Sequence, residues 1–137
     1  MKSRTFIAQI DLLNAKVVLL VGDDFKTHKR NFVSLAEDNA SASAMAKTID
    51  GVENEVRNID NDQVLGLTIT PDGGCMPFIF LKEPDLTVLV HELVHAVGNI
   101  MKFHRLKDEE IRAKMMEYLF NKFKDISTEK EDNENQN

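Results

Sequence analysis

Residues 86–101 constrain this chain more than any other stretch. Leu86, Leu89, Val90, Leu93, Val97, Ile100 and Met101 recur at the three- and four-residue spacing of an α-helix. Asp85, just after Pro84, offers the side-chain oxygen that caps a helix start. So apolar a helix is expected to be nearly buried, which requires a larger apolar surface for it to lie against. Yet it also carries His91, Glu92 and His95, whose desolvation costs free energy unless they are paired or bind a metal. A local rule broken in this way is expected at a functional site.

The rest of the chain supplies the apolar surface. Two β-branched runs, residues 5–13 and 15–21, are separated by little more than Asn14 and predict two strands with a tight connection. Residues 64–70 alternate as a strand does, Pro71-Asp72-Gly73-Gly74 is turn chemistry, and residues 75–81 read as the returning strand of a hairpin. Pro77 has no N–H to donate, which puts that second run at a sheet edge. Phe25, Phe32, Val33, Leu35 and Ala36 mark a short surface helix within residues 24–38. Residues 39–63, rich in Asn, Asp, Ser and Ala, read as loop with a helix around residues 41–49. Asp108 caps a further helix to about residue 124, striped by Ile111, Met115, Met116, Leu119, Phe120 and Phe123. The expected class is α+β, with one domain over residues 1–124. Residues 125–137 hold five acidic residues and one lysine and read as an acidic, disordered tail.

Composition narrows the partners. With 17 basic and 23 acidic side chains the formal charge is −6, and no concentrated basic patch works against that field. The clusters His28-Lys29-Arg30 and residues 102–107 read as solvated faces without the interleaved aromatics of single-strand binding, so no nucleic-acid partner is expected. Cys75 has no second cysteine to pair with, reads as a small buried apolar residue, and points to a cytoplasmic setting. The longest apolar run, residues 17–21, falls far short of the about 20 residues of a membrane helix. Gln9, Asp11, Asn14 and Lys16 interrupt the stretch after Lys2 and Arg4, so neither a membrane segment nor a signal peptide is expected.

His91-Glu92-Leu93-Val94-His95 is an H-E-x-x-H arrangement. Histidines four apart share a helical face, so both imidazoles can reach one zinc ion at about 2.0–2.1 Å. Glu92, about 100° around the helix, stands beside them, where it can take a proton from an attacking water. A catalytic zinc needs a third protein ligand and an open position. The extended pattern that ends in a third histidine fails, because Gly98 fits but Met101 occupies the histidine position. Gly98 is then expected to permit close packing of a neighbouring element. His104, Glu109, Glu110 and Glu117 are the remaining candidates, and spacing alone leaves the three glutamates nearly tied.

Residues 86–118 carry L-x-x-L-V-H-E-L-V-H-A-V-x-x-I-M, then D-E-E-I-R-A, then E-Y-L. This resembles the small zincin metallopeptidase-like proteins of phages and prophages, similar to minimal gluzincins, in which a second helix bears a glutamate ligand. The resemblance implies a zincin-like fold: a small mixed β-sheet packed against the motif helix and a following glutamate-bearing helix. Ala113 and Tyr118 fit the family's frame if Glu110 is that glutamate, so the implied zinc ligands are His91, His95 and Glu110, with Glu92 as catalytic base. The short basic connection at residues 102–107, and Lys114 where an aromatic is expected, depart from the pattern.

The implied activity is zinc-dependent hydrolysis of a peptide bond, in the host cell interior if the chain is phage-encoded. The peptide or protein substrate would lie along the strand Phe78–Leu81 by β-augmentation. Tyr118 is a weak candidate for oxyanion stabilisation. The alternative is a catalytically silent zincin-like fold, a zinc-stabilised structural or interaction module of a phage. The chain is short, and in either case a protein partner could complete the cleft.

Overall fold

The computed structural model describes residues 2–59, 65–71 and 75–127. Strand β1 (Arg4–Ile10) leads through a single 3-10 turn (Asp11–Leu13) into β2 (Ala15–Val21). Asn14 makes the reversal in the left-handed region, at φ 47° and ψ 40°, a conformation its short polar side chain tolerates. Helices α1 (Phe25–Val33) and α2 (Asn39–Asn58) follow, then β3 (Gly66–Ile69), β4 (Phe78–Leu81), α3 (Leu86–Phe103) and α4 (Glu109–Phe123), with a closing 3-10 turn (Lys124–Ser127). The fold is mixed α and β, as expected, around a four-stranded mixed sheet.

Sheet order is β1-β2-β4-β3, with β1 antiparallel to β2, β2 parallel to β4, and β4 antiparallel to β3. The strand Phe78–Leu81 is therefore interior, not the edge inferred from Pro77. Pro77 precedes the paired run, where its missing N–H costs no ladder bond, and its carbonyl accepts from the Val18 N–H at 3.0 Å. The open edge beside α3 belongs to β3.

Helices cover both faces of the sheet. Val17, Leu19 and Val21 of β2, with Ile79 and Leu81 of β4, pack against Leu89, Leu93, Val97 and Ile100 of α3 and Met115, Leu119 and Phe123 of α4. Val18, Leu20, Phe78 and Phe80 point the other way, into a second core with Phe25, Phe32, Ile49 and Val52 of α1 and α2. Burial on both faces explains why β2 and β4 are continuous apolar runs and do not alternate.

Helix α2 replaces the loop expected over much of residues 39–63. Asp38 caps it, accepting from the Ser41 N–H at 2.7 Å. Met45, Ile49, Val52 and Val56 form a narrow stripe against the sheet, and the Asn, Asp and Ser residues that suggested a loop belong largely to its solvent side. Residues 60–64 and the turn residues 72–74 lie outside the described residues.

Other expectations are corrected by packing. His28 is fully buried, not part of a solvated face; its Nε2 donates to the Gly22 carbonyl at 2.8 Å and its Nδ1 accepts from the Thr5 hydroxyl at 2.9 Å. Cys75 is exposed, not buried. Among the described residues, a Cβ on Gly98 would meet only the Arg112 guanidinium, at 3.9 Å, and no backbone that approaches closely. Ile126 is buried and its carbonyl accepts from Arg4, so packed chain extends past residue 124; residues 128–137 lie outside the described residues. Among the described residues, no helix is long and apolar enough to cross a membrane.

Candidate metal centre

Helix α3 begins at Asp85, whose carboxylate accepts from the N–H groups of Thr87 at 2.8 Å and Val88 at 3.2 Å. That cap marks where the helix starts, and packing of its apolar face sets its rotation over the sheet. Leu89, Leu93, Ala96, Val97 and Ile100 face inward, so His91 and His95 emerge on the opposite, solvent side. The helix is thus half buried, not nearly buried, and the histidines are not desolvated.

The imidazole rings of His91 and His95 lie with centroids 5.0 Å apart and planes at 74°. Both lie on the exposed face of the helix. The His91 side chain is 70% exposed and that of Glu92 only 8%, with His91 Nε2 4.0 Å from Glu92 Oε2. The other carboxylate oxygen, Oε1, accepts from the Thr68 hydroxyl at 2.7 Å. Two turns further on, Asn99 donates to the Thr70 hydroxyl at 2.7 Å. Two polar rungs therefore tie the edge strand β3 to α3, directly beside the histidine pair.

Close approach of strand to helix depends on Gly66. A Cβ there would stand 2.6 Å from Val88 Cγ1 and 3.2 Å from Glu92 Cγ. The small or polar series Gly66, Thr68, Thr70 was the sequence signal for this seam. It went unread because the alternation marked a strand without saying that its polar side would lie against the motif helix.

The candidates for a third ligand are dispersed. Asp108 caps α4 through the Glu110 and Ile111 N–H groups, and the Glu110 side chain is exposed, as is that of Glu117. Glu109 lies 3.8 Å from the Arg112 guanidinium. The His104 N–H closes α3 on the Ile100 carbonyl, and its Nε2 is buried without a hydrogen-bond partner among the described residues. Tyr118 donates to the Gln9 carbonyl at 2.7 Å, which holds its hydroxyl on β1, at the far edge of the sheet from β3.

Two imidazoles and an adjacent carboxylate suit zinc as a donor set. Among the described residues, no group of three or more His, Cys, Asp or Glu side chains converges as a metal cage. A histidine pair is present, and among the described residues a complete protein triad is not assembled. No family profile matches the chain, and no characterised protein or solved structure matches it significantly.

Proposed function

We propose that the chain is a zinc-dependent peptidase of minimal zincin type, with His91 and His95 holding the metal and Glu92 acting as base. The observation that carries this reading is the proximity of the two imidazole rings, with centroids 5.0 Å apart on one exposed helix face, and a carboxylate oxygen 4.0 Å from His91 Nε2. Bound zinc would supply Lewis-acid polarisation of the scissile carbonyl and acidify an attacking water. Glu92 Oε2 takes the proton of that water and returns it to the leaving amine. The substrate, an extended peptide, adds to the open edge of β3, whose Gly66 and Thr68 stand next to the base. Glu110 is our third ligand on the strength of the motif resemblance alone.

A second reading has its own support. Glu92 is nearly buried and bonded to Thr68, the arrangement of a structural tie between helix and strand. In that reading zinc on the histidine pair stabilises an interaction module that turns over no substrate.

Glu92→Gln separates the two when bound zinc and peptide cleavage are measured together. The peptidase reading expects the variant to keep zinc and lose hydrolysis. Equal cleavage by both proteins removes Glu92 as base, and zinc-loaded wild-type protein that cleaves nothing leaves the module.

A further inference from the structure

We infer that Thr68 is the positioning residue for Glu92, so that the strand offered to the substrate also aims the base. The inference rests on the peptidase reading. A glutamate side chain has three rotatable bonds, and on an exposed helix face it samples many orientations. Glu92 is not exposed, and its carboxylate is divided between two neighbours. Oε1 takes the Thr68 hydroxyl at 2.7 Å, a short bond of the charge-assisted kind, while Oε2 is left toward His91 Nε2 at 4.0 Å. Thr68 Oγ1 also lies 3.1 Å from the Glu92 backbone carbonyl; its single proton goes to the nearer acceptor, Oε1, and both distances keep the hydroxyl against this one residue.

The strand itself cannot drift from the helix without breaking these contacts. Gly66 brings the backbone close, and the Asn99–Thr70 bond repeats the tie two turns along the helix. Thr68 pairs with Ile79 in the interior strand β4, which anchors the hydroxyl to the core of the sheet. Removing the hydroxyl while keeping the side-chain shape leaves Oε1 buried without its donor, and the carboxylate then turns to find water. A displacement of about 1 Å at a reacting group can cost about 100-fold in rate.

The test compares wild type, Thr68→Val, Thr68→Ser and Asn99→Ala, each loaded with zinc. Cleavage kinetics on one peptide are followed alongside zinc content and thermal melting. The expected result for Thr68→Val is a kcat about 10- to 100-fold lower, with KM and zinc content close to wild type and with Thr68→Ser restoring most of the rate. Asn99→Ala, which cuts the other rung of the seam, is expected to lower the melting temperature and leave kcat in place. If Thr68→Val does not fold, Thr68→Ala removes the same hydroxyl without a branched side chain and is read in the same way. Unchanged kcat in the hydroxyl-free variant overturns the inference while the peptidase reading stands. An equal loss of kcat in Asn99→Ala overturns it too, because a general loosening of the seam then explains the rate. Wild-type protein that binds zinc and cleaves no peptide overturns both.

Discussion

The sharpest test of the site's architecture is to place one methyl group in the seam between β3 and α3. Gly66 is not there for backbone freedom, since among the described glycines the positive φ belongs to Gly22. It is there for space: an alanine Cβ would sit 2.6 Å from Val88 Cγ1 and 3.2 Å from both Glu92 Cγ and Leu81 Cδ2. Overpacking of this kind costs typically about 1–3 kcal/mol. Replacing glycine by alanine also restricts the unfolded chain, which offsets about 0.4–1 kcal/mol. The net expectation for Gly66→Ala is a loss of about 1–2 kcal/mol. With an unfolding entropy of about 2.1 cal/mol/K per residue over the 137-residue chain, that is a fall of about 3–7 °C in Tm. Differential scanning calorimetry of Gly66→Ala, Val88→Ala and the double variant checks it. Because Val88 Cγ1 is the closest obstacle, Gly66→Ala should cost markedly less in the Val88→Ala background, with a coupling on the order of 1 kcal/mol. A Gly66→Ala protein as stable as wild type, or a cycle with no coupling, would refute the close packing of β3 on the motif helix.

Two further outcomes follow from other parts of the structure. Burial pushes the His28 imidazole below its ordinary value of 6.5, against smaller opposing effects of the Gly22 carbonyl and the Asp24 and Asp23 carboxylates. The unfolded chain then binds the proton first, so this contribution to stability is complete above about pH 6.5 and is lost as the pH falls from there toward the lower folded value. Urea midpoints between pH 7 and 5 should drop more for wild type than for His28→Gln, and parallel curves would exclude His28 as the source. Asp85→Ala removes the cap of α3 and should cost about 0.5–2 kcal/mol in chemical denaturation; a value near zero would mean that Thr87 and Val88 find other acceptors.

Much of this protein could be read from local pattern. The two strands around Asn14, the capped starts at Asp85 and Asp108, and the pairing of His91 with His95 all depend on interactions within a few residues. Helical spacing, side-chain capping and turn preference act there before any tertiary contact forms. Helix α2 failed as a reading because its apolar stripe is narrow and its remaining positions are small or polar; only the sheet face opposite α3 gives Ile49 and Val52 something to bury against. His28 looked solvated beside Lys29 and Arg30, and only the convergence of β1, β2 and α1 supplies its two hydrogen-bond partners.

What the sequence by itself determined was the motif helix and the types of side chain it carries. Tertiary structure decided the environment of each. Rotation of α3 against the sheet exposed the histidines and buried the glutamate, and strand order put β3, not β4, at the open edge beside them. These choices depend on residues far apart in the chain, Gly66 and Thr68 against Val88 and Glu92, whose contacts no local spacing encodes.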